Sequence, residues 1–434
     1  MPSQRKNNPK SLLLACSIGQ VIEWYDFFIY GTASALVFGH LFFPNADPLA
    51  GKLLSFATFG IAFVARPIGG IIFGHFGDKL GRKPTLVFTF IMMGIATGAV
   101  GLLPTYAEIG VWAPILLTAL RILQGLSLGG EYGGAVLMSV ESAPPGRRSY
   151  FGSWVQAGSP AGVVLSNVVF LLITTCFPSA LETWGWRVPF LVSFALVIVG
   201  IVIRLRLEES PTFKQIIAER PERSPLLTVL RRHKLTVLLT AGSYVSIGAV
   251  TYTSTVFGVS WARGTIGFSY AETLSIIILG QILCFAAMPV FGRLGDRYGN
   301  RLVCAMGIIG CAIAVFPWLM LVSTGSFGLA VLGYLILAIP YAANYAVMAA
   351  FFADAYESRV GYSGFSLGYQ LGTVVGSGLA PTIATTLLYT TGTVMSVGLY
   401  IVVFCAVSLV CAVLLGDTRR TATVAGVAMR EQVA

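Results

Sequence analysis

Within ten residues, "IEWYDFFIYG", the chain sets two acids, Glu23 and Asp26, among side chains that dissolve in hydrocarbon. A carboxylate at a bilayer centre costs about 2.5 to 3.5 kcal/mol on insertion scales, so each needs a chemical reason to be there. Three residues apart on a helix, the two share a face, which Gly19 and Tyr30 extend, and that face must look inward. Asp26 stands fourteen residues after Leu12, roughly 21 Å along a helix and therefore near mid-membrane. Arg121 sits at a similar depth in another apolar stretch, which makes Asp26 and Arg121 the leading pair. An arginine contact holds a carboxylate ionised, and a carboxylate that loses the contact as conformation changes can take up a proton. A permanent structural ion pair is the bland alternative.

Arg121, Gln124, Leu128 and Glu131 recur at three- and four-residue steps and form one partly polar stripe. Glu131, set between glycines in "LGGEYGG", is either a second proton site or a hydrogen-bonded partner of Arg66. Arg66 in "FVARPIGG" is suited to holding a substrate carboxylate bidentately, unless it pairs permanently with Glu23 or Glu131. Asp26, Arg121, Glu23 and Glu131 are thus the candidates for proton coupling, and Arg66 the candidate for substrate charge. The second half carries almost no deep charge and offers neutral groups: Tyr244, Tyr252, Thr253, Gln281, Asn344, Tyr345, Tyr369 and Gln370. With Tyr30, Gln124 and Gln156 of the first half, Tyr252, Gln281, Asn344, Tyr345 and Gln370 form the candidate substrate lining. Each also serves as helix–helix glue, and depth favours Asn344 and Gln370.

These side chains need membrane-spanning elements to hold them. The 434-residue chain is 56% hydrophobic and only 11% charged, against about 25% charged in soluble domains. Apolar runs fall near 12–40, 51–75, 84–104, 111–138, 150–176, 188–207, 235–258, 270–292, 302–322, 327–352, 362–388 and 393–415, twelve in all. Each is long enough to cross about 30 Å of hydrocarbon. With the N-terminus inside, 28 Lys and Arg residues fall on the cytoplasmic side except Lys52, Arg187 and Arg263 outside and Arg66 and Arg121 within helices. The net charge of +10 is thereby read as topology, and nucleic acid is not an expected partner. The first ten residues, "MPSQRKNNPK", lead into a long helix without a small-residue cleavage site, so the first helix is expected to stay.

The loops repeat. "GHFGDKLGRK" (74–83) and "GRLGDRYGNR" (292–301) lie 218 positions apart, and "ESAPPGRRSYFGS" after the fourth span is echoed by "ESRVGYSGFS" after the tenth. The expected organisation is an all-α integral membrane protein of two pseudo-symmetric six-helix bundles, 1–207 and 235–416. A cytoplasmic linker at 208–234 joins them, a tail follows at 417–434, and both termini are cytoplasmic. Parallel halves of this kind place a substrate near the midplane and alternate access by rocking. The loop residues Asp78, Arg82, Glu141, Arg148, Asp296 and Arg301 are candidates for a cytoplasmic gate, with Arg82 and Arg148 holding Glu141; Asn300 replaces a basic residue in the second copy.

"GHFGDKLGRK" resembles the loop signature of the major facilitator superfamily. "IEWYDFFIYG", "FVARPIGGIIFGHFGDKLGRK", "RILQGLSLGGEYGGA", "WGWRVPF" and "EESPTF" together resemble its metabolite:proton symporter branch over essentially the whole chain. Within the branch, "SLGGEYGGAVLMSVESAP" and "YSGFSLGYQLGTVVGSGLAP" are similar to bacterial shikimate transporters. The resemblance implies a proton symporter of the bacterial inner membrane that imports a small organic acid such as shikimate. An acid in helix one against an arginine in helix four is the arrangement of related sugar:proton symporters.

The alternatives are a carrier of zwitterionic osmolytes, betaine or proline, and a non-transporting nutrient sensor. No phosphate loop, "HExxH" pair or catalytic triad spacing is present, so neither enzyme activity nor a cofactor or metal is expected. Lipid, a small acid and protons are the expected partners, and a monomer the expected state. The seven cysteines read as packing residues, and His40, His75 and His233 as interfacial ones.

Overall fold

Each apolar run becomes a helix, because hydrocarbon offers no partner for a bare backbone amide and a helix satisfies all of them internally. The structure, a computed structural model, describes the backbone of residues 9–80, 82–129, 131–205, 225–356 and 361–431. Within these it leaves aside the side chains of residues 9–12, 15, 74, 75, 77–83, 86, 135, 203–227 and 416–431. The helices are α1 (Pro9–Ala33), α2 (Pro48–Leu80), α3 (Arg82–Leu102), α4 (Trp112–Glu141), α5 (Arg148–Cys176) and α6 (Arg187–Leu205). The second half has α7 (Lys234–Ile266), α8 (Tyr270–Tyr298), α9 (Asn300–Ser323), α10 (Phe327–Ala353), α11 (Gly361–Thr391) and α12 (Met395–Glu431). They take the places of the twelve expected spans, and the described residues contain no strand.

Two boundaries differ from expectation. The last helix runs on past 415 to Glu431, through a stretch whose Ala and Arg residues favour helix and which contains no proline. Of the 208–234 segment, residues up to 224 lie outside the described residues, and Pro225–Arg232 is a short helix. Large apolar side chains stand outward around the bundle, Leu102, Ile198, Leu238 and Ile313 each more than 60% exposed, which only a hydrocarbon solvent tolerates.

Close packing positions the charged residues. A Cβ on Gly69, Gly125 or Gly129 would run into the backbone carbonyl of Leu126, Ala62 or Arg66, so α2 and α4 touch backbone to backbone, with Arg66 opposite Gly129 and Arg121 reaching the Phe59 carbonyl further along the same seam. Gly158 and Gly162 do the same for α5 against α1, at Gln20 and Trp24. The halves meet at both ends. At the end bearing the 292–301 loop, Gly292 and Gly295 of α8 lie on Ser153 and Ser149 of α5. At the opposite end, Gly60 of α2 lies against Gly378 of α11, and Gly31 of α1 against Val256 of α7. There a π-helical turn, Ser34–Phe38, continues α1, and another, Thr253–Phe257, lies within α7, separated by nearly the loop-repeat offset.

Candidate functional site

The buried charged side chains among the described residues are Glu23, Asp26, Arg66, Arg121 and Glu131, all in the first half. Glu23 accepts a 2.7 Å hydrogen bond from Gln20 Nε2, and Gln20 Oε1 accepts one from Trp24 Nε1 at 3.2 Å, so the wet face of α1 is braced along its own length. Glu131 is buried, immediately before the Tyr132–Glu141 part of α4.

Asp26 is fully buried, and neither carboxylate oxygen has a hydrogen-bond partner. It lies beside the hydroxyls of Ser193 on α6 and Thr97 on α3. Thr97 Oγ1 is already engaged, donating to the Met93 carbonyl at 2.8 Å and accepting from Gln124 Nε2 at 2.7 Å, while Ser193 Oγ has no partner. The expected Asp26–Arg121 ion pair is not formed. Arg121 instead donates to Gln124 Oε1 and, at 3.2 Å, to the Phe59 carbonyl, and lies 3.8 Å over the Tyr30 ring. The reason is the aromatic wall of α1 and α2: a guanidinium flanked by Tyr30, Phe27 and Phe59 gains cation–π contact of about 0.5 to 2 kcal/mol without meeting a carboxylate. Gln124 also donates to the Asp26 backbone carbonyl at 3.2 Å, so it ties the helices of acid and arginine together.

Arg66 has neither of its expected carboxylate partners. The two ion pairs among the described residues are Arg148–Asp354 and Arg187–Glu108. Arg66 is 3% exposed, its Nε–H has no acceptor, and its guanidinium lies 4.4 Å from the Phe27 ring, 4.6 Å from Phe63 and 5.8 Å from Trp24. Two of these rings, Phe27 and Phe63, pack on Tyr252 of the second half, 6.3 and 5.2 Å away.

The neutral candidates divide. Tyr252 is buried against Phe28, 5.5 Å away and stacked, with its hydroxyl unpartnered. Gln156 accepts from Tyr132 at 2.7 Å and turns its Nε2 to the Met348 sulfur at 3.9 Å, across the halves. Tyr345 lies beside Tyr132, and its ring is 5.7 Å from Tyr341. Gln281 lines a small cavity inside the second half with Thr251, Ser254, Cys284, Tyr334 and Tyr341. Tyr30 is occupied by Thr58 at 2.7 Å, and Gln370 Oε1 accepts from Thr373 at 3.4 Å. Asn344 Nδ2 donates to Ser246 Oγ at 3.3 Å and its Oδ1 accepts from the Cys304 thiol at 3.4 Å, so the two ends of the side chain bind α7 and α9. Its depth reflects glue.

At the loop end, Asp296 accepts from the backbone N–H groups of Ser149 at 2.7 Å and Tyr150 at 2.9 Å, capping α5 of the other half. Asn300, the departure from the loop pattern, accepts from Ser149 Oγ at 2.5 Å. Arg148 pairs with Asp354 at 3.2 Å, in place of the expected Glu141, because the start of α5 abuts the end of α10. Glu141 is exposed at the end of α4 and Arg301 half-buried at the start of α9; the side chains of Asp78 and Arg82 lie outside the described residues. At the other end, Arg187 binds the carbonyls of Gly101 and Leu103 at 3.1 and 2.5 Å. Its ion partner Glu108 is held below the usual carboxylate range by the Thr105 backbone N–H and hydroxyl.

Sequence reasoning missed Ser193 and Thr97, single hydroxyls in apolar helices, and Asp354, which has no counterpart in the quoted loop motifs. It also missed Tyr132, whose ring stacks on Tyr369 across the halves at 4.0 Å; its place in the glycine-flanked "EYGG" was the available signal.

The sequence matches the profile of the Major Facilitator Superfamily over residues 16–377. It is 39% identical over 429 residues to the inner membrane metabolite transport protein YhjE of Escherichia coli strain K12, covering 95% of each chain. It is 38% identical over 409 residues to the shikimate transporter of the same organism, covering 93% of each. A proline/betaine transporter of Salmonella typhimurium strain LT2 is 34% identical over 421 residues, or 94% of this chain and 84% of that one. Among solved structures, the proton:xylose symporter XylE bound to 6-bromo-6-deoxy-D-glucose superposes with a TM-score of 0.74 at 15% identity, over 94% of this chain and 95% of that one.

Proposed function

The chain belongs to the Major Facilitator Superfamily, a family of membrane transporters, and we propose that it is a proton-coupled symporter importing a small organic acid, such as shikimate or a related carboxylate, across the bacterial inner membrane. The observation that carries this reading is the presence in the same half of a buried acid, Asp26, whose carboxylate oxygens have no hydrogen-bond partner, and a buried arginine, Arg66, whose Nε–H has no acceptor and which forms neither of the two ion pairs among the described residues. No cation forms an ion pair with Asp26, so a proton is the direct means of neutralising it. A cation on Arg66 calls for an anion from outside the protein.

In this reading Asp26 carries the proton, with Glu23 and Glu131 as further candidates and Arg121 as a fixed positive field close by. Arg66 binds the substrate carboxylate, and Tyr252, Gln156, Tyr345, Gln281 and Gln370 line the path. Asp296 on the α5 end and Arg148 on Asp354 close the loop side, which the basic residues make the cytoplasmic side, with both termini there and the protein acting as a monomer. Loss of those contacts at one end, with gain of contacts at the other, is alternating access. Domain boundaries at 207 and 235 follow from the same repeat.

A zwitterion carrier is the second reading. The proline/betaine relatives and the aromatic walls of the interface favour it, because rings bind quaternary ammonium. Against it, the faces of Phe27 and Phe63 already hold the Arg66 guanidinium, and a second cation there would meet like charge. Proteoliposomes loaded with a pH-sensitive dye separate the two: shikimate, succinate, citrate, glycine betaine and proline are added in turn. Acidification with one of the acids is the expected result; acidification with betaine or proline alone establishes the second reading, and silence from folded, inserted protein removes both.

A further inference from the structure

Three hydrogen-bond donors meet at the boundary between the halves with nothing to accept from them. Arg66 Nε comes from α2, Tyr252 Oη from α7 and Tyr369 Oη from α11; all three atoms are buried and without a partner. The residues themselves are 3%, 1% and 0% exposed. Native proteins leave few such groups, and each unmade bond costs about 1 to 3 kcal/mol, so the cluster needs a cause. The donors come from both halves. Tyr252 packs 5.2 Å from Phe63 and 6.3 Å from Phe27, the two rings that sandwich the guanidinium. Tyr369 is fixed from one side by Tyr132 of the first half, stacked at 4.0 Å, and from the other by Tyr244 at 4.7 Å, edge to face. On the Tyr369 side, Arg66 lies 5.8 Å from the Trp24 ring, which is 6.3 Å from Tyr132, the ring stacked on Tyr369.

We propose that Arg66, Tyr252 and Tyr369 form one anion site assembled across the two halves, in which a substrate carboxylate accepts from the guanidinium of the first half and from both tyrosine hydroxyls of the second. The inference rests on the organic-acid reading above and deepens it. A carboxylate is the group that fits, because it is acceptor-only and carries the charge that Arg66 lacks. The site is whole only while the Tyr132–Tyr369 stack holds, that is, while the halves are together. Parting them at either end separates the cation from one or both hydroxyls, so the anion is held most tightly in the closed form and draws the halves shut. Tyr132 and Tyr244 are positioning residues, acting through the ring of Tyr369.

The test is binding by purified full-length protein in nanodiscs, with shikimate, succinate and citrate as probes, on wild type, Tyr252→Phe, Tyr369→Phe and Tyr252→Phe/Tyr369→Phe. Phenylalanine keeps each ring and removes only the donor, and thermal unfolding checks that each variant is folded. Each single variant is expected to weaken the bound acid about tenfold, since a hydrogen bond to a charged group is lost. Glycine betaine tests the charge pattern further, and its affinity is expected to stay below that of the acid. A change of twofold or less in either single variant overturns the composite site. Failure of the wild type to bind any of the three acids sinks the organic-acid reading itself, so the two failures are distinct.

Discussion

At the residue scale, Asp26 is the most exacting assignment, because a fully buried acid with no ion-pair partner has few roles other than reversible protonation. Asp26→Asn is expected to abolish accumulation driven by an inward proton gradient, at least about tenfold, while counterflow exchange of labelled substrate persists, since the amide fixes the neutral form without moving the helix. Accumulation at the wild-type level in that variant sinks the assignment. Arg66→Lys retains the charge but not the planar fork, and is expected to raise the apparent KM about tenfold with little change in thermal unfolding. An unchanged KM takes Arg66 out of the site. Which charges are buried was legible in the sequence, since a charge in an apolar run is visible by type alone. Which residues touch was not. The Asp26–Arg121 pairing rested on equal depth, and depth says nothing about azimuth: the rings of Phe27, Tyr30 and Phe59 claim the guanidinium, and Asp26 turns toward Thr97 and Ser193.

At the scale of elements, length and hydropathy placed all twelve spans, because crossing a bilayer fixes both, but not the helix ends, α7 running on to Ile266 and α12 to Glu431. How the spans touch depends on single glycines. Gly125→Ala drives a Cβ into the Ala62 carbonyl, backbone against backbone, with no flexible side chain to yield. A destabilisation of about 1 to 3 kcal/mol is expected, read as a lowered Tm or lost monodisperse protein. Gly328→Ala in α10, which meets nothing within 4 Å, is the matched control and is expected to be neutral or slightly stabilising. The loop repeat was visible in the sequence, yet the use of Asp296 as a cap on α5 was not, because capping joins elements 147 positions apart. Asp296→Ala removes the acceptor of two backbone N–H groups, about 0.5 to 2 kcal/mol of closure at that end. The reactivity of a Ser153→Cys probe, at a position buried against Gly292, is expected to rise about tenfold over the same probe in the Asp296 background. Equal reactivity means that the cap does not hold the halves together.

At the scale of the whole molecule, the asymmetries of charge are what turn a symmetric fold into a directional device. All the buried charge described lies in the first half, while the second contributes hydroxyls and amides, so the halves cannot exchange roles although their helices superimpose in sequence order. The second asymmetry runs across the membrane: the basic loops gather at the end where α5 starts, and α5 ends at Cys176 on the other face. Cys176 is exposed, whereas the other six cysteines are buried or half-buried, so one native thiol reports the orientation of the entire chain. If basic residues set topology here as they do generally, a membrane-impermeant maleimide added to intact spheroplasts labels the wild type, and Cys176→Ser loses the label. The expected orientation puts the loop ends, and with them Asp296 and the Arg148–Asp354 pair, beyond the reagent until the membrane is opened. Labelling of Cys176 only after permeabilisation inverts the topology. In that case the contacts at the α5 start close the outer face, and the proton on Asp26 would enter from the side here assigned as its exit.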